Sequence, residues 1–105
     1  MLKVKTAALL ATGLVVMMSS TAFAADGKAL YTAKGCTACH GADAKSPIMP
    51  VYPKLAGQGK EYIMQQMKDI KSGARNNGQT AAMKGIMAGV SEDEITALAE
   101  YLSGL

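Results

Sequence analysis

What this 105-residue chain lacks narrows its chemistry quickly. It has no tryptophan, one phenylalanine (Phe23), one histidine (His40) and two cysteines, Cys36 and Cys39. With a single histidine and no second CxxC, a zinc site could draw on three ligands at best, too few to close a tetrahedron. No segment sustains the alternation of a strand, so the βαβ setting that a thioredoxin-like CxxC requires is missing. A disulfide between residues three apart would close too short a loop to staple a fold. Nor is there a basic run or an interleaving of aromatic and basic residues, which argues against nucleic acid as a partner. Large apolar side chains are scarce as well. The 81 residues from 25 onward contain five Leu, five Ile and two Val, with no Phe. That is well under the ~20% below which chains drift towards disorder.

The first 24 residues, MLKVKTAALLATGLVVMMSSTAFA, join two lysines to an apolar run and end on Ala22-Phe23-Ala24, the small-x-small pattern cut by signal peptidase. The apolar part, Ala7 to Met18, is shorter than the roughly 20 residues that span a bilayer. The sequence therefore predicts a secretory signal over residues 1–24, one domain over 25–105, and export to an oxidising compartment such as a bacterial periplasm. No stable membrane insertion is expected after cleavage. Loss of Lys3 and Lys5 reduces 11 basic residues to 9 against 8 acidic ones. The mature chain is nearly neutral, with lysines towards its start and Glu92, Asp93, Glu94 and Glu100 towards its end.

Such low charge, together with good helical patterning, predicts an all-α domain rather than a disordered chain. DGKALYTAK opens on an N-cap residue, Asp26, and places Ala29, Leu30 and Ala33 on one helical face. GADAKSPIMPVYPKLAGQG, with all three prolines, reads as a long ordered loop, the kind that wraps something. A helix over 60–72 puts Tyr62, Ile63, Met67 and Ile70 on one stripe and ends at Gly73. After a turn at Asn76-Asn77-Gly78, Thr80 is an N-cap candidate for a short helix limited by Gly85 and Gly89. Finally, Ser91 and Glu94 form a capping box before the stripe Ile95, Leu98, Ala99 and Leu102.

So thin a core in so short a domain calls for a staple. KGCTACHG, residues 34–41, is where one could be attached. CxxCH is the pattern of c-type haem attachment: each thiol adds to one haem vinyl group, and the histidine directly after the second cysteine turns under the macrocycle to ligate iron. A covalent haem would complete both the fold and its hydrophobic centre. The opposite face of the iron has no second histidine, which makes methionine sulfur the natural candidate. Met64 and Met67 fall on or beside a core stripe, and Met49 is hemmed in by Pro47 and Pro50. Met83 and Met87, four apart, would point the same way in a helical turn, and spacing alone does not separate them.

DGKALYTAKGCTACHG, YPKLAGQ at 52–58, KSGAR at 71–75, a Met-bearing loop and SEDEITALAEYL together resemble the small monohaem class I cytochromes c of bacterial periplasms. The resemblance covers essentially the whole mature chain. It implies the class I cytochrome c fold, short helices and loops around one covalent haem c. It also implies Met83 as sixth ligand, eight residues before the capping Ser91, and the Pro53 carbonyl as acceptor for the His40 imidazole. Gln58 and Arg75 look, by the same resemblance, like partners of the haem propionates. Tyr31 and Tyr101 read as packing residues where the first and last helices cross.

The function that follows is soluble one-electron transfer, without enzyme activity, by a monomer or weak dimer. The resemblance implies a quinol-oxidising complex or dehydrogenase as donor and a terminal oxidase, peroxidase or reductase as acceptor. The rival from another class is a gas-binding or peroxidase-like haem protein with an open sixth site, against which the Ala- and Met-rich 79–89 segment offers no distal acid-base residue. A permanently bound haem subunit would need an extensive exposed apolar stripe, which the sequence does not show.

Overall fold

The computed structural model describes residues 26–105, so the expected signal segment lies outside the described residues. Five helices follow in order: α1 Gly27–Ala33, α2 Thr37–His40, α3 Lys60–Ser72, α4 Thr80–Met87 and α5 Glu92–Ser103. Among the described residues there is no strand, and no helix is long and apolar enough to cross a membrane.

Helix ends are set by local chemistry. The Asp26 carboxylate accepts from the Lys28 and Ala29 amides at the start of α1. Ser91 Oγ accepts from the Glu94 amide while the Glu94 carboxylate accepts from Ser91 N–H, the reciprocal box expected for α5. α3 stops where Gly73 adopts φ 87° and returns its N–H to the Ile70 carbonyl. One expected cap differs. Gln79 occupies the N-cap of α4 and makes no side-chain bond there, whereas Thr80 is already helical and buried. Its hydroxyl lies 3.4 Å from Asn77 Oδ1.

α5 is the central element and packs against both α1 and α3, and α4 lies on α3. Ile95, Leu98, Ala99 and Leu102 are buried as their spacing required. The buried side of α1 is not the one that periodicity suggested. Ala29 and Ala33 are exposed, and Gly27, Leu30 and Tyr31 turn inward. The cause is the crossing with α5: a Cβ on Gly27 would lie 2.2 Å from the Ala97 carbonyl oxygen. Only glycine lets the backbones meet so closely, and that approach rotates Tyr31 into the core, 5.9 Å from the Tyr101 ring. Tyr62 also departs from the expected stripe. It is 59% exposed, while its neighbours Ile63, Met67 and Ile70 are buried.

Candidate functional site

The CxxCH stretch forms a single helical turn. Cys36 is its N-cap, its carbonyl accepts from the amides of Cys39 at 3.3 Å and His40 at 3.0 Å, and Gly41 ends it at φ 85°. A side chain at Gly41 is ruled out twice, by that φ and by the Ser46 carbonyl oxygen, 2.3 Å from where a Cβ would stand. The chain then folds back through a compact turn in which Asp43 Oδ1 accepts from the amides of Lys45 (2.9 Å) and Ser46 (3.0 Å). These amide bonds hold the Asp43 carboxyl below the usual carboxylate range. Beneath this turn, the buried Tyr31 hydroxyl donates to the Gly41 carbonyl at 2.6 Å.

His40 is 6% exposed, and its Nδ1 lies 2.9 Å from the Pro53 carbonyl oxygen. A carbonyl can only accept, so Nδ1 carries the proton and Nε2 is left with the free lone pair. The loop that supplies Pro53 is tied to the same turn: Ile48 N–H donates to the Cys39 carbonyl at 3.1 Å, and both Leu55 and Ala56 amides donate to Ala44. Cys36 and Cys39 are not joined to each other, and each is half-buried. Burial pushes the Cys36 thiol above its usual range, the opposite of the lowered value of a redox-active CxxC. Among the described residues, no group of three or more His, Cys, Asp or Glu side chains could hold a metal ion by itself.

Above the turn lies a cavity of about 340 Å³, within the range of small-molecule and cofactor sites. Cys36, Cys39 and His40 line it with Tyr52 and Pro53, as do Met83 and Met87 from α4 and Ile63, Met67 and Ile70 from α3. Met49 does not reach it and is 47% exposed. Met87 is 2% exposed and belongs to the core, whereas Met83 is only partly buried and packs against that core from the cavity side. Gln58 and Arg75 also line the cavity, but their polar ends already have protein partners. Gln58 donates to the Lys54 carbonyl, and Arg75 Nη1 donates to Gln66 Oε1 at 3.1 Å. At the mouth stand Val51, Tyr62 and Ile86, 60%, 59% and 38% exposed.

The sequence reading missed Tyr52 and Gln66. The Tyr52 ring centre lies 6.3 Å from that of His40, and its place beside Pro53 was the available signal. Gln66 had none, because a polar residue in mid-helix gives no hint that it will face an arginine nine positions on.

The cytochrome c family model matches residues 24–105. Cytochrome c4 of Pseudomonas aeruginosa is 41% identical over 95 residues, 90% of this chain and 44% of that protein. This chain belongs to the cytochrome c family. A thiosulfate dehydrogenase electron acceptor of Stutzerimonas stutzeri is 37% identical over 97 residues, covering 86% of this chain and 44% of that one. The structure of reduced recombinant cytochrome c4 from Pseudomonas stutzeri shares the fold with a TM-score of 0.67 at 34% identity, over 78% of this chain and 47% of that one. The chain thus spans a little under half the length of these relatives. As a cytochrome c it carries covalent haem c with its iron, and the CxxCH residues Cys36, Cys39 and His40 are those that fit the attachment. The site suits the group: two thiols on one wall, an imidazole with its Nε2 lone pair free, and an apolar cavity beside them.

Proposed function

We propose that this cytochrome c is a soluble periplasmic one-electron carrier, not an enzyme, with His40 and Met83 as the axial ligands of its haem iron. When bound, the haem supplies a centre whose iron gains or loses one electron at a time. The protein's part is to attach, orient and shield. Cys36 and Cys39 would tether the macrocycle. Pro53 fixes the His40 tautomer and the plane of its ring, which raises the basicity of Nε2. Ile63, Met67 and Ile70 keep water from one side, so that the charge change occurs in a medium of low polarity.

One observation carries this reading: His40 and Met83 share a cavity in which, among the described residues, there is no other imidazole and no carboxylate. Without a second imidazole or a carboxylate the cavity lacks the commonest general acid-base groups for bond breaking in a bound substrate, and a thioether ligand raises the reduction potential instead. Both methionines line the cavity, but Met87 is packed fully into the core while Met83 is only partly buried and keeps more surface that a haem would cover. Gln58 and Arg75, on the cavity wall, are proposed partners of the propionates, which they would reach by exchanging their bonds to Lys54 and Gln66. Electrons would cross at the mouth, where Val51, Tyr62 and Ile86 offer a small apolar contact of the kind used by brief redox encounters. The relative named as a thiosulfate dehydrogenase electron acceptor supports a dehydrogenase as donor, and a quinol-oxidising complex would fit the same surface. A terminal oxidase, peroxidase or reductase would then be the acceptor.

Optical spectroscopy of the ferric protein tests the ligand. The weak long-wavelength band of sulfur-to-iron ligation should be present, lost in Met83→Ala and kept in Met87→Ala. Loss in Met87→Ala alone would reverse the choice of methionine. Fast binding of carbon monoxide by the unmodified ferrous protein would refute a filled sixth site and favour a gas-binding haem protein.

A further inference from the structure

α4, the helix that carries Met83, is weakly held by its own means. Only Thr80 and Met87 of its eight residues are buried, Gly85 lowers its helicity, and it packs mainly on α3. Its C-terminal end is secured from elsewhere. In the turn from α4 to α5, Gly89 and Val90 return their amides to the carbonyls of Ile86 and Met87. The carbonyls of these same two residues are each taken by a lysine from another helix. Lys34, the C-cap of α1, donates to Gly89 O at 2.8 Å, and Lys71, near the end of α3, donates to Val90 O. Lys34 also pairs with Glu94 Oε2 at 3.3 Å, while Oε1 of the same carboxylate accepts from Ser91 N–H at 3.0 Å. Two ammonium groups therefore meet consecutive carbonyls of the turn that joins α4 to α5. One of them stands two residues before the haem-attaching Cys36.

We propose that Lys34 and Lys71 are positioning residues for the sixth ligand: together they strap the α4–α5 turn to α1 and α3 and so hold Met83 over the iron. This rests on Met83 as ligand. Charged hydrogen bonds are stronger than neutral ones; the one to Val90 is part-buried and the one to Gly89 exposed, and a pair converging on consecutive residues fixes both the position and the pitch of the turn. Lys34 also joins the segment that presents His40 to the segment that presents Met83, so the two sides of the haem are held by one connection. Neither lysine touches the cavity, and the strap acts only through the backbone of the turn.

Imidazole, added to the ferric holoprotein, is a probe for this. It occupies the sixth site only in the fraction of molecules whose methionine has left, so its apparent affinity reports that fraction. Lys34→Met and Lys71→Met, which keep most of the side-chain stem, should each raise the apparent affinity about ten-fold, the size expected for loss of one charge-assisted bond. Arginine at either position should restore it to within about three-fold. Lys60→Met, which breaks an ion pair to Glu100 elsewhere on the surface, should leave it unchanged. If the strap variants unfold earlier but bind imidazole like the unmodified protein, the lysines serve stability alone and the proposal is overturned. Absence of the sulfur band from the unmodified protein would instead remove Met83 as ligand, an outcome visible before any lysine is changed.

Discussion

Two glycine-to-alanine substitutions in this cytochrome should have opposite effects, and the difference tests the account of how α1 meets α5. At Gly27 an added Cβ would lie 2.2 Å from the Ala97 carbonyl oxygen and 2.6 Å from Tyr101 Cβ, whereas ordinary contacts begin at 3.4 Å. Neither obstacle is a flexible side-chain tip, so α1 must retreat by about 1 Å, with overpacking costs of about 1–3 kcal/mol. The retreat carries Tyr31 with it and strains the 2.6 Å bond to Gly41. Alanine's better helix propensity, at most ~1 kcal/mol, offsets part of this. The net loss should be about 1–2 kcal/mol, and at 4–8 °C per kcal/mol for a domain of this size Tm should fall by roughly 5–15 °C. At Gly85, inside α4, a Cβ meets nothing within 4 Å, so the propensity gain stands alone and Tm should rise by a few degrees. Far-UV circular dichroism melts of the two holoproteins, recorded with the haem absorbance, provide the measurement. A Gly27→Ala protein that melts with the parent or above it would refute the close crossing.

Tyr31→Phe should cost about 1–3 kcal/mol at neutral pH by leaving the Gly41 carbonyl without its donor, read as a lower denaturant midpoint. Its pH profile should change too. Burial pushes the Tyr31 hydroxyl up to about 12, above its ordinary value of about 10, so the unfolded chain releases this proton first. Stability from this group is complete below about pH 10 and declines towards pH 12, and the phenylalanine variant should lack that decline. Ser91→Ala should lose about 1 kcal/mol with the capping box, seen as a lower Tm. Glu94, whose carboxyl is held below the usual range chiefly by the Ser91 amide, contributes stability above its unfolded value of about 4.3. That contribution disappears as pH falls through the lower folded value, and Glu94→Gln should flatten this part of an acid titration. Lys60→Ala, at a 3.0 Å pair with the exposed Glu100, should shift stability by no more than about 0.5 kcal/mol.

Most of the fold was legible because its signals are local. α3 was readable from its 3.6-residue stripe and its closing glycine, α5 from Ser91 and Glu94, and the turn of CxxCH from the motif itself. The misread features depend on partners distant in sequence. The inner face of α1 is chosen by a backbone-to-backbone approach at Ala97, which no periodicity within GKALYTA announces. Thr80 is a good capping residue by type, but it is buried inside α4 and its hydroxyl is turned to Asn77. Around the site, the bond between His40 and Pro53 was reached through family likeness, not chemistry, since any of the carbonyls in a 19-residue loop could have accepted it. The two lysines that bond to the α4–α5 turn were invisible for a further reason: in sequence they look like ordinary solvated charges.

The poverty of the core and the identity of the cofactor are one physical fact. Among the described residues, eleven form the buried apolar cluster; eight of them (Tyr31, Ile63, Met67, Ile70, Met87, Val90, Leu98 and Leu102) also line the cavity, and Ala44, Ile95 and Ala99 do not. In a self-sufficient domain most core side chains would be surrounded by one another. Here nearly every one presents a side to the haem site, so the contacts that would repay the ordering entropy of this chain are largely contacts with the macrocycle. Covalent attachment then has a thermodynamic role besides a chemical one. By fixing the haem to Cys36 and Cys39 it makes the largest apolar body of the interior part of the chain, present at unit stoichiometry however dilute the protein becomes.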